Sequence, residues 1–248
     1  MRLKFICCSV LTRMACQVVA NSKNIVDLQF VPLNQHVEPE KLQANLQAII
    51  DTVDQDTEEY DAIIMGFGLC GNSTEGLKSS RYKIVIPRAH DCCTIFMGSV
   101  DAFLERFRGH LSAAWSSHGY IERDDEICRR TDAPNSLGTD MPFDEMVEKY
   151  GLDNAKMIYE SLHPLQLDEP HIYIKMAPFD DYGCFDLYKS KIEADQEMRE
   201  YQKEIDTPTG SMNLITKLVD GDWDNEFYIV QPGEMIEPSY DLELVFEE

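Results

Sequence analysis

The sequence has few basic residues and no long uninterrupted run of apolar ones. Its 22 lysines and arginines stand against 45 aspartates and glutamates, which gives a formal net charge of −23 at pH 7. A surface that binds nucleic acid or an anionic membrane needs clustered positive charge. No stretch approaches the roughly 20 apolar residues of a membrane-spanning helix. We therefore expect neither a nucleic-acid partner nor a membrane partner.

The N-terminal segment lacks the features of an export signal. Arg2 and Lys4 precede a short apolar run, but Arg13 interrupts that run and no small-residue cleavage site follows. We therefore expect a cytoplasmic protein, in which cysteines stay reduced. The eight cysteines then predict buried thiols together with metal ligands or a redox centre, and not a framework of disulfides.

Apolar runs and helical periods alternate through the first half of the chain. The runs predict buried strands over residues 3–8, 25–31, 61–65 and 83–86. Helical spacing and capping residues predict helices over 12–20, from Pro39 to Val53 and from Ser99 to Phe107. This order is typical of a mostly parallel sheet that is covered on both faces. We therefore predict an α/β fold whose first lobe, residues 1–110, is doubly wound and Rossmann-like.

The second half, residues 111–248, is less regular. It is predicted to form a second α/β lobe or a continuation of the first. Strands are predicted within 113–121, 171–176 and 226–230. Helices are predicted over 142–150, 154–162 and 189–205, with a last one that Ser211 caps and that runs through Leu218. The polar segment 129–140 contains Pro134 and Gly138 and is predicted to be a loop or a lobe boundary.

Three cysteines and one histidine stand where predicted strands end. Cys8 closes the first strand, Cys70 lies in the turn after the third, and His90 and Cys92 follow the fourth. If these three strands are neighbours, their carboxyl ends share the edge at which open parallel sheets bind ligands. Thiolates and imidazole are soft metal ligands. The sequence therefore predicts one metal site from these four residues. The remaining cysteines are predicted to be buried thiols, namely Cys7, Cys16, Cys93, Cys128 and Cys184.

The turn around Cys70 is rich in glycine. Gly66, Gly68 and Gly71 match the G-x-G-x-x-G spacing of dinucleotide-binding loops. We discount a dinucleotide site because this turn follows the third strand and not the first. The glycines are predicted instead to let the backbone approach a bound group closely. Gly68, Gly71 and Asn72 are thus candidate ligand-binding residues, since their amides can bind a carboxylate, a phosphate or a cluster sulfide.

Two charged residues and a polar triplet are further candidates. Arg88 ends the fourth strand and either neutralises an anionic ligand or pairs with a surface acid. Asp91 is predicted to orient His90 or to hold a substrate group. The triplet Ser116-Ser117-His118 is either a structural loop or the source of a lid or a general acid.

These residues resemble those of a family of uncharacterised bacterial and archaeal proteins, the domain of unknown function 1638. The matching segments are 6–11, 66–72, 87–94, 98–99 and 218–223, so the resemblance covers most of the chain. It implies family cysteines at Cys8, Cys70 and Cys92, with Cys7 and Cys93 as additional residues. The family has no established reaction. Its association with anaerobes and corrinoid-dependent methyl transfer implies a place in anaerobic one-carbon metabolism.

Two metal forms and three classes of function are open. Three cysteines suit a [4Fe–4S] cluster with His90 or substrate as the fourth ligand. Cysteine and histidine equally suit Zn²⁺, in a set similar to that of thiol-alkylating corrinoid methyltransferases. The leading hypothesis is an enzyme or an accessory factor with such a metal site, acting on a small molecule. The alternatives are a metal or cofactor carrier or sensor, and a metal-free redox protein that uses Cys92 with Cys70 or Cys93.

Overall fold

The computed structural model describes residues 1–33, 39–107, 113–123, 143–162, 170–177, 179–198 and 201–239. Its first sheet contains four parallel strands, β1 (Arg2–Cys8), β2 (Ile25–Val31), β3 (Ala62–Gly66) and β4 (Ile84–Pro87). Their order across the sheet is β2-β1-β3-β4. The predicted adjacency of the first, third and fourth strands is therefore confirmed.

Two helices cover this sheet. α1 (Thr12–Asn21) joins β1 to β2, and α2 (Pro39–Gln55) precedes β3. Since β2 and β3 flank β1 on opposite sides, right-handed crossovers place α1 and α2 on opposite faces of the sheet. The stripe that α2 buries consists of Leu42, Leu46, Ile50 and Val53. The predicted doubly wound α/β architecture is confirmed.

A strand from the end of the chain completes the first sheet. β9 (Phe227–Val230) pairs antiparallel with β4, so that Phe227 lies opposite Pro87. The preceding helix, α9 (Asn213–Asp220), contacts both α1 and β4. The strand and the helix were both predicted, but the sequence did not indicate that this strand returns to the first sheet.

The second sheet is smaller and entirely parallel. It contains β5 (Trp115–Ser117), β6 (His171–Met176), β7 (Ile205–Asp206) and β8 (Thr209–Gly210). β5 pairs with the middle of β6, while β7 and β8 pair with its beginning and its end. The carboxyl ends of β5, β6 and β8 therefore lie near one another at one edge.

The remaining helices are α3 (Cys92–Met97), α4 (Val100–Phe107), α5 (His118–Ile121), α6 (Phe143–Tyr150), α7 (Leu152–Leu162) and α8 (Cys184–Met198). The prediction of a helix over 189–205 was wrong at both ends. The buried stripe of α8 begins with Cys184 and continues through Tyr188 and Ile192, which is helical spacing. Ile205 instead lies in β7.

The helices α3 and α5 connect the two sheets. The amide of Ser211, next to β8, donates to the carbonyl of Phe96 in α3 at 2.9 Å. Gly119 in α5 lies so close to the carbonyl oxygen of Val10 that a Cβ there would overlap it. One continuous apolar core includes residues from both halves of the chain, among them Phe5 and Trp115.

Two predictions are not settled by this arrangement. The division into lobes at residue 110 stays a prediction, and segment 129–140 lies outside the described residues. Within the described ranges, no helix combines the length and the apolar composition that crossing a bilayer requires.

Candidate metal centre

Three of the predicted cysteines lie together at the carboxyl edge of the first sheet. Cys8 is the last residue of β1, Cys70 lies in the turn after β3, and Cys92 is the first residue of α3. The side chains of Cys70 and Cys92 are hydrogen-bonded. Cys8 lies close enough to both of them for electrostatic interaction. This edge is where the strand order reverses around β1 and β3, which is the ligand-binding position of doubly wound sheets.

The turn that carries Cys70 has an unusual backbone. Cys70, Gly71 and Asn72 have positive φ angles of 47°, 64° and 68°. Only glycine adopts such angles without a steric cost. Two backbone hydrogen bonds hold the start of this turn beside the segment that follows β4: Leu69 donates to Ala89 at 2.8 Å, and Cys70 donates to His90 at 2.9 Å. These bonds fix Cys70 next to the start of α3.

Gly68 makes this pairing of segments sterically possible. A methyl group at Gly68 would lie 2.6 Å from the carbonyl oxygen of Ala89 and 2.8 Å from the amide nitrogen of Asp91. The glycines were predicted to let the backbone approach a bound group closely. At Gly68 the group that lies so close is instead the protein's own backbone, at Ala89 and Asp91. Gly71 and Asn72 are exposed at the outside of the turn. Their roles in binding a ligand stay predictions.

Asp91 caps the N-terminus of α3, the helix whose first residue is Cys92, and so helps to position that cysteine. The Oδ1 of Asp91 accepts a hydrogen bond from the amide of Cys93 at 2.9 Å. An N-cap of this kind satisfies an amide that the helix leaves without a partner. The predicted roles of Asp91, toward His90 or a substrate, stay predictions, but its capping role was not foreseen.

Tyr120 is a member of the site that the sequence did not indicate. Its Oη lies 2.7 Å from Sγ of Cys92, and its ring packs edge-on against Trp115 with centroids 5.0 Å apart. Tyr120 belongs to α5, which directly follows β5 of the second sheet. The sequence predicted a strand ending near this tyrosine, but it carried no signal that the two sheets meet here.

Burial and mutual contact favour the neutral form of Cys8 and Cys70. Burial raises the pKa of Cys8 far above its ordinary value. The hydrogen bond with Cys92 is the largest cause that raises the pKa of Cys70, followed by burial, with a smaller contribution from the charge of Asp91. A metal that binds these thiols would have to displace their protons.

The backbone carbonyl of His90 accepts a hydrogen bond from the backbone amide of Cys70, so that the two residues lie side by side. The Nε2 of His90 is buried and has no hydrogen-bond partner among the described residues. A buried polar atom without a partner is rare and calls for a ligand, a water molecule or an ion. Across the described part of the chain, no group of three or more histidine, cysteine, aspartate and glutamate side chains stands in an arrangement that would hold a metal ion.

Arg88 faces a different surface. Its guanidinium lies over the ring of Tyr228, 5.4 Å from the centroid. It lines an open groove of about 850 Å³ together with Asp101, Lys217 and Glu226, and the three thiols are not among the residues that line this groove. Its predicted alternatives, binding of an anion or pairing with a surface acid, stay open.

The other cysteines largely follow the prediction of buried thiols. Cys7, Cys93 and Cys184 are buried, and Sγ of Cys7 lies 3.5 Å from the carbonyl oxygen of Cys8. For Cys16 the prediction was wrong, because it lies on the outer face of α1 and is exposed. Cys128 lies outside the described residues.

Comparison with known proteins gives one match. The family model described as "Protein of unknown function (DUF1638)" matches residues 30–219. This range includes Cys70, His90, Cys92 and Tyr120, whereas Cys8 lies before it. No curated protein and no solved structure matches the chain.

Proposed function

The chain belongs to the DUF1638 family of proteins of unknown function, and we propose that it is a thiolate-rich metal-binding protein. In this proposal Cys8, Cys70 and Cys92 hold the metal, with His90 as a fourth ligand. The protein acts as an enzyme or an accessory factor, and the resemblance to the family favours anaerobic one-carbon metabolism as its setting.

The observation that carries the proposal is the meeting of three thiols from three strand ends. Cys70 and Cys92 are hydrogen-bonded, and Cys8 interacts electrostatically with both. Local sequence proximity does not explain this meeting, because the three residues are distant in the chain. Sulfur donors assembled from separate strand ends suit a site that exchanges ligands, since the surrounding loops are free to vary around a rigid sheet.

The donor set fits a soft metal in its chemistry. Three sulfurs suit zinc or an iron–sulfur cluster, and the unpartnered Nε2 of His90 suits either as a nitrogen ligand. Zinc held by thiolates supplies activation of an incoming thiol, and a cluster with one open iron supplies a Lewis acid or an electron. Because burial favours the neutral thiols of Cys8 and Cys70, metal binding would release protons.

The residues around the sulfurs would prepare them for this binding. The Asp91 cap holds the first turn of α3, and with it Cys92. The hydroxyl of Tyr120 is hydrogen-bonded to the same sulfur, and such a partner would orient Sγ as the partners of metal ligands usually do. The left-handed turn at 70–72 leaves Cys70 only partly buried, so this is the side from which a metal or a substrate would enter.

Metal analysis of protein purified without oxygen tests the proposal. We expect about one zinc ion or one cluster per chain, with a brown colour in the second case. Cys70→Ala should lose the metal, because it removes one of three sulfur donors. Cys16→Ala is the matched control, since Cys16 is exposed and outside the cluster, and it should keep the metal. Equal metal content in wild type and Cys70→Ala would contradict the ligand assignment.

The hydrogen bond between Cys70 and Cys92 specifically favours a second candidate, a redox-active thiol pair. In this case an oxidant takes two electrons and two protons from the pair and a disulfide forms. Protein without metal that loses two mass units on mild oxidation, with the bond mapped to these two cysteines, would favour this candidate. Retention of metal by the wild-type protein, together with resistance of both thiols to oxidation, would exclude it.

A further inference from the structure

A second cavity lies at the carboxyl edge of the second sheet. It has a volume of about 240 Å³, and its lining includes His118, which follows β5, Lys175 near the end of β6, and Thr209 in β8. This position in a parallel sheet is the one at which ligands bind. At about 30 Å³ per water molecule the cavity has room for roughly eight waters, so it suits a molecule of a few heavy atoms. The thiols of the candidate metal centre do not line it.

His118 gives this cavity a buried polar group. The residue is 3% exposed, and its Nε2 has no hydrogen-bond partner within the described ranges. Burial lowers the pKa of His118, so the imidazole is neutral and one ring nitrogen carries a proton. Phe179 forms an apolar wall beside it, with ring centroids 5.6 Å apart. A buried nitrogen in this state favours a bound hydrogen-bonding group.

Lys175 is an exposed residue that brings a positive charge to the lining of the cavity. Its Nζ lies 4.4 Å from the ring centroid of Phe185, and in the part of the chain that the structure describes no carboxylate is within ion-pair distance. The ammonium is therefore available to an anion from outside.

The two aspartates that line the cavity restrict the charge of that anion. Both oxygens of Asp181 are engaged, one by the hydroxyl of Tyr173 and the other by the amide of Phe185. Asp180 accepts from the amide of Tyr182 at 3.0 Å. Their negative charges remain nearby, so a dianion such as phosphate would be repelled more strongly than a monoanion. Since both aspartates already have hydrogen-bond partners within the protein, Lys175 and the neutral imidazole of His118 are the lining groups left to bind an anion, and a single carboxylate is the smallest charge that can use both.

We propose that this cavity binds a small monocarboxylate, with its carboxylate between Nζ of Lys175 and the protonated Nε2 of His118 and its apolar end against Phe179. The site is independent of the metal proposed at the thiols. The helix α5 lies between the cavity and the thiol cluster. Its residue His118 lines the cavity, whereas its residue Tyr120 contacts Cys92. A carboxylate bound in this cavity would lie on the other side of α5 from the thiol cluster. That position suits either a substrate or an effector of the proposed metal site.

Nuclear magnetic resonance of the histidine side chains tests this site in the full chain. The probe is sodium propionate, and the signal of His118 is assigned by its loss in His118→Gln. We expect a saturable shift of that signal with propionate and a much smaller one with propionamide, which keeps the shape but lacks the charge. Inorganic phosphate should also bind more weakly.

Two lysine variants make the test specific. Lys175→Met removes the charge and keeps the apolar stem, and it should weaken propionate binding about tenfold or more. Lys78→Met is the matched control, because Lys78 is an exposed lysine outside the cavity whose hydrogen bonds to described residues are made by its backbone, and it should bind as wild type does. Absence of a saturable shift in wild type, an equal response to propionamide or phosphate, or unchanged binding by Lys175→Met would each overturn the proposal.

Discussion

At the scale of single residues, Gly68 controls how closely the two segments that carry Cys70 and Cys92 approach each other. A methyl group there would meet the backbone of Ala89 and Asp91 at 2.6 Å and 2.8 Å. Backbone atoms in paired segments cannot turn aside as a flexible side chain can. We expect Gly68→Ala to lower the free energy of unfolding by about 3 kcal/mol or more and to reduce metal content, as measured by denaturant titration and metal analysis.

Gly71 provides the comparison for that prediction. It has a φ angle of 64°, and among the described residues a methyl group there would approach a side-chain carbon of Pro39, at 3.7 Å, and nothing closer. The cost of Gly71→Ala is therefore the cost of a left-handed alanine alone, about 1 kcal/mol. Equal losses of stability in the two variants would show that backbone crowding at Gly68 is not the decisive effect.

The residues of the candidate site differ in how well the sequence predicts them. Cys8, Cys70 and Cys92 were predictable as neighbours because each follows a buried apolar run, and parallel strands bring such positions to one edge. Tyr120 was not predictable, because its place beside Cys92 depends on how two sheets pack. The N-cap role of Asp91 was missed because the short helix α3, all of it buried, has no polar face to reveal its period.

At the scale of secondary-structure elements, Lys217 connects α9 to the turn before β9. Its Nζ lies 2.8 Å from Asp224 and 2.7 Å from Glu226. The hydrogen bond from Lys217 is the main reason that the pKa of Asp224 is lowered. The Asp224 side chain is 44% exposed, so solvent screening limits this pair to below about 1 kcal/mol.

The lowered pKa gives a pH dependence with a definite sign. A carboxyl whose pKa is lower in the folded state stabilises the fold above its unfolded pKa of about 3.9, and this contribution is lost as the pH falls through the folded pKa. Asp224→Asn should therefore lower stability by up to about 1 kcal/mol near neutral pH, and the difference from wild type should vanish in acid. Denaturant titrations across that pH range measure it.

Asp222→Asn is the control for this prediction, since it removes a charge from the same exposed turn and Asp222 has no ion pair within the described residues.

At the upper end of the pH range, Lys217 titrates. Its pKa is raised, chiefly by its hydrogen bond to Asp224. Its contribution is complete below the unfolded pKa of about 10.4 and is lost as the pH rises through the folded value. A pH-independent effect of Asp224→Asn would contradict this assignment.

Helices and strands with a clear hydrophobic pattern in the sequence were predicted well, whereas elements without such a pattern were not. The helical period of α2 and the apolar runs of β1 to β4 matched the structure closely. The strands β7 and β8 have two residues each, which is too short for any alternation to show. α8 was displaced because its charged residues suggested a later start, whereas the buried stripe begins at Cys184.

At the scale of the whole molecule, the net charge of −23 opposes the compact state. Many like charges on one surface repel one another, and salt screens this repulsion with a Debye length of about 10 Å at 0.1 M. We expect the melting temperature to rise by several degrees when sodium chloride increases from about 0.02 M to about 0.3 M. Differential scanning calorimetry measures this shift.

Screening depends on ionic strength and not on the identity of the cation. Potassium chloride should therefore give the same increase as sodium chloride at equal concentration. A melting temperature that falls with salt would mean that attractive ion pairs, such as the one between Arg2 and Asp27, outweigh the repulsion among the acidic residues.

The pairing of β9 with β4 has a consequence for how the protein is made. While a ribosome synthesises the chain, β4 emerges long before the strand that covers its outer edge. During that interval its backbone amides and carbonyls can pair with another nascent chain. Folding of the first sheet is thus completed late in translation, and a pause or a truncation before residue 227 would expose an edge prone to aggregation.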